Sequence, residues 1–296
     1  MATAAPHSQD DSDDDDIELN PMRVLLPAEE SEERETASAR RDGDSNLEIE
    51  QHYLHSIKST VKIRQLPSEG LSFKLWPAAT TLVNLFDRHV IDPTTSPLLS
   101  TLTAAAAARA DRCGGKLKIL EIGSGTGLVG IAAAAVLGAD VTVTDLPHVA
   151  PNLQFNAELN AGVVRCGGGA VDVAPLSWGE EDDVETVAGR GFDLVVASDV
   201  VYHDHLYDPL LKTLRWLLLL GGTEPAGDRK PAFVMAHLRR WKKDSTFFKR
   251  ARKSFDVEAI YVDSPSEGRR IGVTVYRFTA KGLRNEKLAS AKAVDV

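Results

Sequence analysis

The sequence predicts an α/β fold built on a seven-stranded, mostly parallel sheet that closes in an antiparallel hairpin. Two observations carry that expectation. From Leu117 onward, strand-like apolar runs alternate with stretches of helical length, the pattern of a parallel sheet covered by helices on both faces. The last two strand-like runs are separated only by a turn through Pro265, Ser266, Glu267 and Gly268, too short for a parallel crossover, so they must pair antiparallel. Length and composition agree: 296 residues at 43% hydrophobic can bury one full-sized core with appendages, which excludes a coiled coil, a collagen-like rod and a disulfide-stapled miniprotein.

In chain order, residues 1–46 come first, a polar stretch with Asp10, Asp11 and Asp13 to Asp16 and a short apolar island at Val24, Leu25 and Leu26. Too little apolar surface is present to offset the entropy of ordering, so a disordered acidic extension is expected, either simply solvated or a docking tail for a basic partner. Residues 1–50 carry 16 acidic and 4 basic side chains, whereas 51–296 carry 27 and 30, so the formal net charge of −9 describes neither part. The folded domain is expected over 47–282, with 283–296 a flexible tail. Period-two alternation in Ser59–Gln65 marks one strand of an N-terminal hairpin. Leu75, Ala78, Ala79, Leu82, Val83 and Phe86 stand at near-helical spacing and place a helix within 70–90, and a second runs from Leu98 to Arg109. Strands then follow at Leu117–Ile122, Val141–Asp145, Ala170–Val173, Phe192–Ser198, Ala232–Ala236, Val257–Val262 and Gly272–Thr279, with helices at 128–137, 148–160, 205–220 and 244–254. Cys113 and Cys166 are too few for a disulfide framework and are not spaced for zinc, which points to free thiols in a reducing compartment. No run of 18 apolar residues occurs, and the acidic N-terminus is unlike a signal peptide. A soluble, monomeric protein of the cytoplasm, present in the nucleus as well, is expected.

The first parallel strand runs into Glu121-Ile-Gly-Ser-Gly-Thr-Gly127 and then into a helix. In that setting a glycine loop binds ligands, because the glycines allow close backbone approach and the helix start supplies free N–H groups. A dinucleotide fingerprint would place its third glycine at 128, which is Leu128. The loop is instead Gly123-x-Gly125-x-Gly127 with Glu121 ahead of it. A carboxylate there is out of place beside a pyrophosphate and suits a ligand with an ammonium group and no phosphate, as S-adenosylmethionine is. Asp145 ends the second parallel strand, where a carboxylate can accept both ribose hydroxyls; taken alone, before Leu146 and Pro147, it would read as a helix cap. Trp76, in Leu-Trp-Pro-Ala-Ala, and Trp178, in Leu-Ser-Trp-Gly, read by themselves as core residues. The fourth strand ends in Ala197-Ser-Asp-Val-Val-Tyr202, which sets Asp199 and Tyr202 at the carboxyl edge of the sheet, where open α/β sheets bind ligands.

Together these segments resemble the seven-β-strand protein lysine methyltransferases of the methyltransferase-like 21 group, in family order over roughly residues 50–280. The resemblance implies a Rossmann-like class I methyltransferase sheet and S-adenosylmethionine as cofactor. It also implies that Trp76, Gly123, Ser124, Gly125, Asp145, Trp178 and Ala197 line the cofactor pocket, with Gly127 in the same loop and Glu121 near the methionine end. Asp199 and Tyr202 match the family's Asp-x-x-Tyr element at the methyl-acceptor side, with Asp199 expected to orient the incoming ammonium and Tyr202 to wall the lysine channel. The Asn/Asp-Pro-Pro-Tyr element of amide and adenine-amino methyltransferases is absent, since Val200 and Val201 replace both prolines. The reading is a methyltransferase for lysine in a non-histone protein. The alternatives are a same-fold enzyme acting on RNA, histidine or a small molecule, and a non-catalytic cofactor-binding interaction module.

His203, Asp204 and His205 sit beside the acceptor element, but no third ligand converges from elsewhere in the sequence, so helix-start capping and surface roles are expected and no metal. From Arg239 to Lys253 there are eight cations and one acid, Asp244. Such a run is a solvated helix face with Phe247, Phe248 and Ala251 turned inward, or a patch for an acidic protein surface bordering the substrate entrance. Nucleic acid is the weaker match, and a membrane is not expected.

Overall fold

An antiparallel hairpin comes first in the computed structural model: β1, Glu48–Leu54, pairs with β2, Ser59–Gln65. The structure describes residues 48–112, 114–220, 230–265 and 272–281. The expected extension over 1–46, Cys113, the turn at Ser266, Glu267 and Gly268, and the tail over 283–296 lie outside the described residues. Two helices follow the hairpin, α1 Pro77–Ile91 and α2 Leu99–Arg112. The central part is β3 Lys118–Ile122, α3 Leu128–Leu137, β4 Asp140–Asp145, α4 Ala150–Leu159, α5 Ala161–Cys166, β5 Ala170–Pro175, α6 Glu181–Ala188 and β6 Leu194–Ser198. The last part is α7 Tyr207–Arg215, β7 Ala232–His237, α8 Asp244–Ala251, β8 Phe255–Val262 and β9 Thr274–Ala280.

Apart from the hairpin, the described strands form one sheet in the order β5-β4-β3-β6-β7-β9-β8. The first five run parallel, and β9 is antiparallel to both β7 and β8. The expected C-terminal hairpin is therefore present, with its second strand inserted beside β7. Period-two alternation sorts side chains into two core layers. Ile119, Val141, Val143 and Val196 pack with α1, α3 and the hairpin's Val61 and Ile63. Leu120, Ile122, Val195 and Ala197 face the opposite layer, with Val184 and Val187 of α6, Leu210 and Leu214 of α7, and Phe247 and Ala251 of α8. The chain thus leaves β3 toward one face and β6 toward the other, which opens a crevice at the carboxyl ends of these two neighbouring strands.

Helix boundaries differ from expectation where local chemistry intervenes. The first helix starts only at Pro77, because Gly70 takes φ +124° and two short 3₁₀ turns, Pro67–Glu69 and Leu71–Phe73, precede it. Pro77 at the first helical position then fixes Trp76 as an extended cap residue. The helix expected at 148–160 is α4, and after Asn160 a further short helix, α5, follows that was not anticipated. The helix expected over 205–220 opens with a 3₁₀ turn, Asp204–Leu206, and ends in a π-helical turn, Trp216–Leu220. Helix α6 was not anticipated: only Val184 and Val187 of its eight residues are buried, too faint an apolar signal, while Glu181, Asp182 and Asp183 suit its positive N-terminal end.

Polar side chains join the N-terminal elements to the sheet domain. Asn156 and Asn160, one turn apart on the α4 side, each accept a β2 backbone N–H and donate to the same residue's carbonyl: Asn156 with Arg64, Asn160 with Lys62. The two amides extend the β2 edge as a neighbouring strand would. Asp87 of α1 accepts the N–H groups of His55 and Ser56 at the hairpin turn. A buried Arg109–Asp193 ion pair at 2.8 Å fastens α2 to the start of β6, and Asp193 also accepts the Lys118 N–H.

Candidate active site

At the carboxyl end of β3 the chain passes through three glycines in left-handed conformation, Gly123 at φ +61°, Gly125 at +55° and Gly127 at +85°. At all three the absence of a side chain is also a packing requirement, a Cβ on Gly127 lying 2.5 Å from Leu153. A Cβ on Gly123 would lie 2.7 Å from the Trp178 indole and 2.9 Å from Val200; on Gly125 it would lie 3.0 Å from the Ser72 carbonyl oxygen. The loop therefore sits between the Leu71–Phe73 turn on one side and Trp178 on the other, a bare backbone surface at the mouth of the crevice.

Glu121 and Asp145 hold this loop from beneath. Glu121 is wholly buried; its Oε2 accepts the Gly130 N–H of α3 at 2.8 Å, and its Oε1 is buried without a hydrogen-bond partner. Burial pushes the Glu121 carboxyl up to about 8, against the pull of the Gly130 N–H and the Ser124 hydroxyl, with the Asp145 charge adding to the rise. Asp145 does not cap the following helix, whose cap position is Val149. Its Oδ2 accepts the Gly125 N–H at 2.7 Å and its Oδ1 the Leu146 N–H at 2.8 Å. Burial raises the Asp145 pKa while these two N–H groups oppose the rise. Ser124 is engaged within the sheet, its Oγ accepting the Thr144 N–H and donating to the Glu121 carbonyl, so its hydroxyl serves to join β3 to β4. Ala197 is fully buried in the same layer as Trp178 and Val200. Trp178 and Trp76 are both partly exposed, and Trp76 donates its indole N–H to the Leu71 carbonyl at 3.0 Å.

The acceptor element at the end of β6 is bound up with a segment that sequence reasoning treated only as a charge run. Asp199 is a non-glycine residue at φ +55°, a conformation that costs energy unless its surroundings enforce it. Here they do. Its N–H donates to the Ala236 carbonyl, its Oδ1 accepts the Leu238 N–H at 2.9 Å, and Arg240 grips both carboxylate oxygens at 3.2 and 2.9 Å. The same guanidinium lies 5.0 Å over the Trp76 ring, which links the N-terminal Leu-Trp-Pro motif to the acceptor edge. His237, buried at the end of β7, stands between two carboxylates, its Nδ1 3.8 Å from Asp199 and its Nε2 3.4 Å from Asp244. Asp244 is fully buried, and although burial opposes it, the neighbouring His237 and the N–H groups of Arg240 and Trp241 hold its pKa below the usual value. Tyr202 is half-buried; burial, then the Asp145 charge, raises its pKa, so the phenol stays protonated. His203 and His205 stack at 5.3 Å beside it, and Asp204 accepts the His205 N–H at the start of the 3₁₀ turn. Arg240, His237 and Asp244 are thus site residues that the sequence reading passed over; the available signal was the one acid, Asp244, set inside a run of cations.

A family model described as lysine methyltransferase matches residues 56–254. The chain belongs to the lysine methyltransferase family. The protein N-lysine methyltransferase METTL21A of Danio rerio is 35% identical over 58% of this chain and 69% of its own. EEF1A lysine methyltransferase 3 of Mus musculus is 30% identical over 70% of this chain and 72% of its own. The protein-lysine methyltransferase METTL21E of Mus musculus is 26% identical over 85% and 96% respectively. Among solved structures, a predicted O-methyltransferase from Agrobacterium tumefaciens covers 61% of this chain and 80% of its own at 17% identity, with a TM-score of 0.42.

A lysine methyltransferase needs a methyl donor beside the acceptor edge, and the crevice has the donor set for one. Glu121 offers a buried, unpartnered carboxyl oxygen for an ammonium. Gly123 and Gly125, in left-handed conformation, bring bare backbone between Trp178 and the Ser72 carbonyl. The oxygens of Asp145 each retain a lone pair beyond the N–H they accept, enough for two hydroxyls. Every one of the eleven residues expected at the site lies at this end of the sheet or packs against a residue that does.

Proposed function

We propose that this lysine methyltransferase binds S-adenosylmethionine between Trp178, the glycine loop and Asp145, and transfers its methyl group to a lysine side-chain amine of a non-histone protein. The observation that carries the cofactor is the convergence of a three-glycine loop, a strand-end Asp and a buried Glu oxygen with no partner. The acceptor class is supported by family membership and by relatives whose names describe protein-lysine methylation. S-adenosylmethionine, when bound, supplies a methyl group on a cationic sulfur that leaves as a neutral thioether.

The chain's residues have two tasks: to align the amine and to favour its neutral form. Alignment of reactants is worth up to about 7–11 kcal/mol of barrier, which suits a site with few reactive groups. Trp76, Tyr202 and the Asp199 turn would wall the path of the lysine. Since Arg240 occupies both oxygens of Asp199, the carboxylate acts here as a positioning group that fixes the direction of Val200 to Tyr202. Removing the amine's proton from a pKa of about 10.4 costs roughly 4 kcal/mol at neutral pH. A cationic donor nearby and the low-dielectric walls of the site both lower that pKa. We place the enzyme, as a monomer, in the cytoplasm and also in the nucleus.

Calorimetry with S-adenosylmethionine tests the cofactor half. Gly123→Ala would displace the Trp178 ring and Val200 and is expected to lower the melting temperature and to abolish binding at a temperature where circular dichroism shows the variant still folded; retained affinity would refute the assigned loop. Methyl-labelled cofactor incubated with a soluble cell extract tests the acceptor half: mapped label should fall on lysine, and label confined to RNA or to small molecules would overturn it.

A further inference from the structure

The segment from His237 to Asp244 has two faces with different uses. Its inward side chains are His237, Arg240 and Asp244, which hold Asp199 and one another. Its outward ones, Arg239, Lys242 and Lys243, are exposed, and among the described residues none of the three is paired with a carboxylate. Asp244, the only acid between Arg239 and Lys253, is turned into the core. Of the other acids near this edge, Asp208 is paired with Arg250 at 3.0 Å, and Asp204, which accepts the His205 N–H, sets one negative charge against the three positive ones. The rim therefore carries surplus positive charge beside the acceptor element. Lys243 is near enough to His203, the neighbour of Tyr202, that it contributes, after burial and His205, to holding the His203 pKa down.

Two features make this more than a solvated charge run. The backbone bearing the cations is fixed from within, because Arg240 grips Asp199 while the N–H groups of Arg240 and Trp241 both donate to Asp244. A fixed backbone spares the cost of ordering the segment on binding, and only the side chains' own rotamer freedom is lost. Their charge also suits the chemistry: positive charge beside an incoming lysine favours its neutral form, the nucleophile, but repels the lysine as it approaches. Carboxylates flanking the lysine on the substrate would remove the repulsion.

We propose that Arg239, Lys242 and Lys243 form a recognition rim that selects lysines flanked by Asp or Glu on the surface of the substrate protein. The inference rests on the lysine methyltransferase reading above and narrows its substrate class. Phosphate groups of RNA have the same charge, but the acceptor here is a protein side chain, so the carboxylates of that protein are the natural counter-charge.

The test compares the full chain with its R239E/K242E/K243E variant, each given methyl-labelled S-adenosylmethionine and a soluble cell extract, with labelled sites mapped by mass spectrometry. Calorimetry should give both proteins the same affinity for S-adenosylmethionine and scanning the same melting temperature, since none of the three side chains touches the glycine loop or the core. The expected result is that the wild type labels lysines with Asp or Glu close by in space or sequence, and that the variant labels those sites at least about tenfold less. Lysines labelled without acidic neighbours, or labelled equally by the variant, would overturn the rim while leaving the enzyme a lysine methyltransferase. Cofactor binding with no lysine labelled by the wild type would remove the reading itself, and the rim with it.

Discussion

Two side chains of this site are held in states they would not adopt in water, and each gives a measurable consequence. The Glu121 carboxyl, ordinarily near 4.5, is pushed up to about 8 by burial. Its neutral form therefore favours the fold: the contribution is fully present below 4.5 and is lost as pH rises through 8. Glu121→Gln should lose less melting temperature across that window than the wild type does. An ammonium placed beside the unpartnered Oε1 would favour the ionised carboxylate, so cofactor binding should release a proton below pH 8, and affinity should rise with pH up to that value. Calorimetry in two buffers of different ionisation enthalpy detects the release; its absence, or equal release from Glu121→Gln, would put the ammonium elsewhere. Arg240 gives the second prediction. Its removal strands the buried Asp199 charge, a loss of roughly 3–5 kcal/mol when one partner of a buried pair is deleted. Arg240→Ala is expected to lower the methyl-transfer rate about 100-fold by misplacing Val200 to Tyr202, with cofactor affinity much less affected. Arg240→Lys should recover only part of the rate, because an ammonium cannot grip both oxygens.

At the scale of elements, the hairpin is attached through hydrogen bonds as much as through its apolar face. Asn156 and Asn160 supply four bonds to β2, and both are buried. Truncating either leaves a backbone N–H and carbonyl without partners, at about 1–3 kcal/mol for each buried group. Hydrogen exchange should show this locally: Asn156→Ala and Asn160→Ala should speed exchange at Arg64 and Lys62 respectively and leave the β3 amides protected. The same contrast explains what could be read in advance. The sheet strands are continuous apolar runs buried on both faces, so Leu194–Ser198 or Ala232–His237 announce themselves by composition. The glycine loop, Asp145, Asp199 and Tyr202 were legible because each lies at a strand end, where spacing along the chain translates directly into position. Arg240, His237 and Asn160 were not, because their roles depend on partners 41, 38 and 98 residues away, and nothing local distinguishes an Arg that grips Asp199 from its exposed neighbour Arg239.

For the whole molecule, charge is divided along the chain in a way that bears on catalysis and not on cofactor binding. Residues 1–45 hold 14 acidic and 4 basic side chains, so their removal takes the formal net charge from −9 to +1. Every side chain assigned to the cofactor or the acceptor lies at Trp76 or beyond, and the core layers are drawn from Leu54 onward. Deleting 1–45 should accordingly leave the affinity for S-adenosylmethionine unchanged by calorimetry; a large loss would mean that the acidic stretch contributes to the site. Turnover on a substrate with an acidic surface should respond differently. At low ionic strength the added negative charge repels such a substrate, and the effect fades as salt shortens the screening length to about 8–10 Å. The shortened chain should therefore show the higher kcat/KM at low salt, with the two enzymes converging as salt is raised. If the full-length chain is the faster one at low salt, the acidic stretch assists substrate capture, and the rim is not where it acts.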